Sequence, residues 1–385
     1  MNVPITRQAA GRINRRVEHF LKRQLFDARA ETVAKAVLDD VRKRGNSAVI
    51  EYARRFDGVS LQTRQLKVSA IEIRAAERLI DESFRQAARE ARQRILAFSR
   101  NGMRRDWAMQ TPGGGRLGER FVPLERVGVY IPGGHAPLAS TALMTACLAK
   151  VAGVREIVAC TPCGPDGRIN PFVLFALKLA GATEILRIGG IQAIAVMAYG
   201  TATVRKVQKI VGPGGTYVTA AKRLVYGDVA LDLVAGPSEI AVLADDSADA
   251  RHVAADLLSQ AEHGTGWEKA LLVTPSSRLA YAVRREFLIQ MRSLPRRKAI
   301  QEVVKRFGVL IVVVDELGDG VKLCNRFAPE HLELMVNRPR AWLGRIRTAG
   351  AVFLGWYTPE SVGDFVAGPS HVLPTGGAAA MFSGL

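Results

Sequence analysis

From residue 127 onward the chain repeats one unit: a short apolar run, a turn rich in glycine or proline, and a stretch of helical length. Strands are expected over 127–131, 156–159, 184–188, 209–211 and 230–234, alternating with helices over 139–152, 171–180, 192–199 and 217–225. The same order returns with helix 249–263, strand 270–274, helices 279–290 and 298–307 and strand 309–315. A helix ending at Arg326, strand 332–336, a short helix near 340–347 and strand 351–354 complete it. Strands this short and this apolar are satisfied on both faces in a parallel sheet covered by helices on each side. The fold class is therefore α/β, with two Rossmann-like parallel-sheet domains facing each other across a ligand cleft. Gly133-Gly134, Gly189-Gly190 and Gly212-Pro213-Gly214-Gly215 follow strands, and backbone amides at a helix start favour phosphate. No G-x-G-x-x-G is present, so the glycines alone argue only weakly for a nicotinamide cofactor.

Before residue 100 the pattern is mostly helical. Val33, Ala34, Val37, Leu38 and Val41 recur at helical intervals, and a second helix is expected over 71–92. The Arg-rich N-terminus reads as a surface helix; it lacks the apolar core and small-residue cleavage site of a signal peptide. Trp107 and Gly113-Gly114-Gly115 mark an exposed turn before the next unit. With no run of about 18 apolar residues, no membrane span is expected, and the cytoplasm is the default location. Four cysteines are too few for a disulfide framework. Cys160-Thr161-Pro162-Cys163 has redox spacing, but its flanks do not resemble a redox helix start; Cys147 and Cys324 read as small apolar residues. The formal charge of +18 raises nucleic acid as a partner. Lys and Arg are nevertheless dispersed, with local clusters such as Arg104-Arg105 and Arg296-Arg297-Lys298, and no nucleic-acid motif accompanies them. A solvated surface, or steering of an anionic cofactor, explains the charge as well.

Three stretches carry chemistry. Leu258-Ser259-Gln260-Ala261-Glu262-His263-Gly264 ends the helix over 249–263, with Gln260 and His263 on neighbouring positions of one side. Taken alone it is a polar helix end capped by Gly264. Ala328-Pro329-Glu330-His331 sets a carboxylate beside an imidazole, and the turn-rich stretch 363–375 supplies Asp364 and His371. Three of the chain's six histidines lie in these places, which argues for one shared site.

Most of the chain from about residue 122 resembles histidinol dehydrogenases. The motifs are PLERVGVYIPGG (123–134), KIVGPGGTYV (209–218), AGPSE (235–239), LLSQAEHG (257–264), APEHLEL (328–334) and GDFVAGPSHVLPT (363–375). NSAVIEYARRFDGV (46–59) fits the same family. The resemblance implies NAD-dependent oxidation of L-histidinol to L-histidine, with one zinc per subunit, in an intertwined homodimer with no membrane or nucleic-acid partner. It implies an N-terminal helical arm over 1–24, a discontinuous domain over 25–122 plus 237–377 carrying zinc and catalytic residues, and an NAD-binding domain over 123–236. By motif match Gln260, His263 and Asp364 fall at zinc-ligand positions. Imidazole and carboxylate suit that metal, whereas residue type alone does not select Gln260. Glu330 and His331 fall at proton-handling positions, Glu330 for hydration of the aldehyde and His331 as base in both oxidations. Substrate contacts fall on Ser238, Gln260, His263, His331, Asp364 and His371, and cofactor contacts on Tyr130, Gln192 and Gly215.

Two departures stand out. Gly215 occupies a position where the family has Asn, which removes a hydrogen bond worth about 0.5–1.5 kcal/mol to the cofactor. Residues 378–385 match the start of a C-terminal family segment that carries a further zinc-ligating His and a substrate-contacting Glu, and that segment is expected to be absent. Oxidation of another small alcohol, or a binding role on an inactive version of the fold, are the alternative readings of the same motifs.

Overall fold

The computed structural model describes residues 3–11, 13–23, 27–133, 137–234 and 236–383; Gly134 and Ala235, each part of a motif above, lie outside the described residues. In chain order the strands are β1 (Ile5–Gln8), β2 (Trp107–Gln110), β3 (Arg116–Glu119), β4 (Arg126–Tyr130), β5 (Glu156–Thr161), β6 (Glu184–Arg187) and β7 (Lys209–Val211). They continue with β8 (Ala230–Leu231), β9 (Glu239–Ala244), β10 (Lys269–Thr274), β11 (Val309–Val314), β12 (His331–Met335) and β13 (Ala351–Leu354). The helices are α1 (Arg15–Leu21), α2 (Ala28–Arg44), α3 (Asn46–Phe56), α4 (Ala70–Arg78), α5 (Glu82–Asn101), α6 (Ala139–Val151), α7 (Pro171–Ala180) and α8 (Gly190–Tyr199). After them come α9 (Thr216–Leu224), α10 (Ala250–Ala261), α11 (Ser277–Met291), α12 (Arg297–Lys305), α13 (Leu317–Phe327), α14 (Pro339–Leu343) and α15 (Glu360–Phe365). Two compact units result, one of Met1–Asp27, Ala235–Gly363 and Val372–Leu385, the other of Ala28–Val234 and Asp364–His371.

The second unit holds a parallel sheet in the order β6-β5-β4-β7-β8. Numbered within the unit this is 3-2-1-4-5, with a topological switch between β4 and β7. Arg126, the first residue of β4, ties the amino ends of three strands together by pairing with Glu156 of β5 and Glu184 of β6. Helix α2 lays Ala30, Ala34, Val37, Leu38 and Val41 into the core that α8 and α9 share with this sheet. Residues 28–122 therefore belong with the 123–234 sheet, which corrects the expected 25–122 plus 237–377 domain. The spacing of α2 declares an apolar face but does not name the surface that receives it. Where an exposed turn was expected, β2 and β3 form an antiparallel hairpin, exposed along its length.

The first unit holds a six-stranded parallel sheet, β1-β11-β10-β9-β12-β13. Strands β9 to β13 repeat the 3-2-1-4-5 order, so the two units share one winding. Each wholly buried Val, Leu or Ile of β11 (Val-Leu-Ile-Val-Val-Val) contributes roughly 1.5–3 kcal/mol. Two strands depart from the sequence reading. Residues expected to begin a helical arm form edge strand β1, in register with β11 from Ile5↔Ile311; among the described residues there, only α1 is helical. Strand β9, flanked on both sides, was not anticipated, because a five-residue apolar run without alternation carries no periodic signal. The strand expected over 230–234 is reduced to β8.

Beneath β12 two neighbouring carboxyls are held above their ordinary range. Burial pushes Asp256 of α10 up to about 7, and Glu333 of β12, facing it, is raised as well. An unfolded aspartate releases its proton near pH 4, so the folded pair holds a proton that the unfolded chain has lost. The associated stability is complete below about pH 4 and is lost as pH rises through about 7. Asp256→Asn, which stays neutral, is expected to flatten this dependence and to raise unfolding free energy at pH 8 by about 1–3 kcal/mol. Urea midpoints at pH 5 and pH 8 check it; parallel profiles for the two chains would contradict the raised Asp256 carboxyl.

Candidate active site

In the first unit the catalytic candidates stand at the amino edge of the sheet. Helix α13 ends at Ala328, which sits in the left-handed region at φ 46°, a conformation costing a non-glycine residue roughly 1–2 kcal/mol. Pro329 follows, and His331 opens β12 in register with Ile240 and Ala351. Glu330 and His331 are both buried, with 5% and 2% exposure. The Glu239 amide donates to Glu330 Oε2 at 3.1 Å. His331 Nδ1 lies 3.2 Å from Glu360 Oε2 and 3.9 Å from Glu330 Oε2. Glu360, the first residue of α15 and 1% exposed, also accepts from Ser259 Oγ at 2.9 Å. Its own amide donates to Glu333 Oε1 at 2.9 Å. Sequence reasoning missed Glu360; its one signal is a position one helical turn before Asp364.

Gln260 and His263 occupy the carboxyl-terminal end of α10, Gln260 wholly buried and His263 exposed. Placing the amide so that its nitrogen meets acceptors has Nε2 donate to the Glu239 carbonyl at 3.2 Å and to Glu360 Oε2 at 3.1 Å. That orientation turns Oε1 toward His263, 3.3 Å from Nδ1. There Oε1 accepts from Nδ1, which also faces the Ser259 and Gln260 carbonyls at 3.3 and 3.1 Å, so the amide oxygen and the imidazole Nε2 are the atoms that would serve a borderline divalent cation. Among the described residues no three His, Cys, Asp or Glu side chains gather at metal-holding distances. Asp364 lies in the last turn of α15 and is half-buried, in the segment that belongs to the second unit. Ser238, half-buried, immediately precedes β9, and its carbonyl accepts from the Lys269 amide.

In the second unit the cofactor candidates gather near the carboxyl ends of β4, β5 and β6, where open α/β sheets bind ligands. A cavity of about 490 Å³ is lined by Tyr130, Gly133, Thr161, Cys163, Gly190 and Asp57, among others. Tyr130 Oη accepts from the Gly190 amide at 3.1 Å at the start of α8, and Gln192 Nε2 donates to Asp57 at 3.2 Å. Burial raises the Asp57 carboxyl above its usual range, and raises the Tyr130 hydroxyl to about 12. At the switch point Gly212 has φ +117°, and a Cβ there would lie 2.3 Å from the Tyr130 carbonyl oxygen, so only glycine fits. The turn is held by Asp232, which accepts from the Gly212 amide at 2.7 Å, and by buried Lys222, which pairs with Asp232 and donates to the Gly212 carbonyl at 2.9 Å. Neither Lys222 nor Asp232 was singled out from the sequence. Gly215 caps α9 outside this cavity, exposed and with an ordinary φ of −67°. His371 Nε2 lies 3.0 Å from Thr141 Oγ1 of α6, in the same unit. Cys160 is fully buried, which pushes its thiol far above the range of a reactive cysteine, so the Cys-x-x-Cys pair lacks the thiolate that redox exchange needs.

The described helices include none long and apolar enough to cross a membrane. Residues 21–385 match the family model described as histidinol dehydrogenase. A histidinol dehydrogenase of Synechococcus sp. is 49% identical over 355 residues, covering 92% of this chain and 81% of that protein. One from Bradyrhizobium diazoefficiens is 45% identical over 385 residues, covering 100% and 89%. The crystal structure of histidinol dehydrogenase from Elizabethkingia anophelis matches with a TM-score of 0.92 at 36% identity, covering 98% of this chain and 87% of that one. With nearly the whole chain matched and the wound parallel sheets and buried Glu-His pair in place, the chain belongs to the histidinol dehydrogenase family.

Proposed function

We propose that this chain oxidises L-histidinol to L-histidine by two successive hydride transfers, with Glu330 and His331 moving the protons. The family performs NAD-dependent histidinol oxidation in histidine biosynthesis and uses NAD and one zinc ion. When bound, NAD accepts hydride and zinc supplies a Lewis acid that orients the substrate. The observation that carries the assignment of roles is the buried Glu330–His331 pair with Nδ1 of the imidazole held by Glu360. With Nδ1 engaged, Nε2 is the nitrogen that takes the hydroxyl proton as hydride departs. Glu330, fixed by the Glu239 amide, removes a proton from the water that adds to the aldehyde, and His331 serves again as base in the second oxidation. Gln260 and His263, with Asp364, would hold the zinc, and Ser238 and His371 would contact the substrate. Tyr130, Gln192 and Gly215 would line the cofactor's path. In this reading the working form is a homodimer without nucleic acid.

The test is NADH release by the purified chain given zinc, NAD and L-histidinol, with two NADH per histidinol expected. His331→Asn should slow both half-reactions by roughly 10²–10⁴-fold, whereas Glu330→Gln should slow mainly the aldehyde-to-acid half. Turnover of L-histidinaldehyde and L-histidinol measured separately checks this, and equal losses for Glu330→Gln would remove it from the hydration step. Glu360→Gln should lower kcat roughly 10–100-fold with little change in KM; an unchanged kcat would show that the carboxylate does not position His331. Gly215→Asn meets open space at its Cβ and should tighten NAD by about 0.5–1.5 kcal/mol. An unaltered dissociation constant for NAD would take position 215 out of the cofactor's contacts.

A further inference from the structure

The amino edge of the first unit's sheet carries a second cavity, of about 310 Å³, that shares Glu239 with the catalytic pair's surroundings. Lys22, Arg23, Lys269 and Arg306 line it against two carboxylates, Glu239 and Glu268, an excess of two positive charges. Arg23 is committed, paired with Glu239 and donating to the Phe327 carbonyl. Glu268 is fully buried and accepts from the Thr265 and Gly266 amides at 2.6 and 2.8 Å, so its charge is satisfied by backbone rather than by a cation. Lys269 and Arg306 instead rest on aromatic rings, Lys269 Nζ 4.6 Å from the Phe20 centroid and the Arg306 guanidinium 4.6 Å from that of Trp267. A ring face holds a cation in place without neutralising it. Lys269 is half-buried, and burial pushes its ammonium down to about 8; an anion beside it would restore the charge. Among the described residues no helix amino terminus lines this cavity, so its field is that of the side chains.

We propose that this cavity binds a phosphate dianion, free or as a phosphomonoester, between Lys269 and Arg306 with Lys22 at the rim. Two excess charges match a dianion, the guanidinium supplies a planar fork, and the ammonium groups supply compact point charges. Gly266, Gly308 and Gly376 add backbone without side chains to the wall.

The experiment is calorimetric titration of inorganic phosphate into the full chain loaded with zinc, compared with a Lys269→Met/Arg306→Met double variant. Saturable binding is expected, weakened at least tenfold in the double variant and unaffected by saturating L-histidinol. A parallel titration with glycerol 3-phosphate identifies the source: tighter binding names the ester, equal or weaker binding the free ion. Acetylation of Lys269 by acetic anhydride, followed by peptide mass spectrometry, should slow several-fold when phosphate is present, a readout that does not depend on the variant folding. Absent binding, equal binding by both chains, displacement by L-histidinol, or unchanged Lys269 labelling would each overturn the proposal.

Discussion

Glu239 is the residue through which the first unit's site holds together. It opens β9, which pairs with β10 on one side and β12 on the other. Its amide fixes Glu330, its carbonyl receives the Gln260 amide, and its carboxylate receives the Arg23 guanidinium. Burial raises that carboxyl and Arg23 opposes the shift, as expected of an ion pair that must recover its desolvation cost in a low-dielectric interior. Backbone groups at a strand start cannot move independently of the sheet. The proton-handling carboxylate and the amide beside His263 are therefore referenced to one rigid point, and their relative placement does not depend on loop conformation.

One winding yields two electrostatically opposite edges. In the second unit the amino ends of α8 and α9 lie just after β6 and β7, beside Tyr130 and the Gly212 turn. Their partial positive charge favours an anionic cofactor. In the first unit the candidates sit at the other edge, where α10 ends at Gln260 and His263 and α13 ends just before Glu330. Helix carboxyl termini carry partial negative charge and favour a cation. The parallel topology thus turns helix amino ends toward one site and helix carboxyl ends toward the other, and the anion cavity on the first unit's amino edge owes its field to Lys and Arg side chains instead.

Much of this was legible in the sequence where neighbours in the chain are neighbours in space. Gln260 with His263, and Glu330 with His331, lie close together in the chain, and the imidazoles and carboxylate among them point to chemistry by type, whereas Gln260 was singled out only through the family resemblance. The alternation of short strands and helices likewise foretold two parallel sheets. What escaped was whatever depended on a distant partner. Glu360 acquires meaning only when α15 brings it to His331, 29 positions earlier in the chain, within 3.2 Å. Lys222 and Asp232 are ordinary residues until the Gly212 turn closes between them. Strand β9 is too short and too uniformly apolar to show a period, although it is central to its sheet. The face of α2 was evident, but its partners α8 and α9 follow from shape and volume rather than from spacing.

The acidic groups behind His331 also explain one another. Three carboxyls, Glu360, Glu333 and Asp256, lie in sequence away from the imidazole, linked by the Glu360 amide to Glu333 and by Glu333 to Asp256. Three buried negative charges in a row would repel strongly, since low dielectric magnifies each pairwise term. Burial raises both Asp256 and Glu333, and protonation there reduces that repulsion at the deep end of the row. Glu360 is the carboxyl nearest His331, 3.2 Å from Nδ1, where an imidazolium would form once the base has taken its proton. Burial thus favours protons at the deep end of the row, while proximity sets Glu360 where it can support the imidazole.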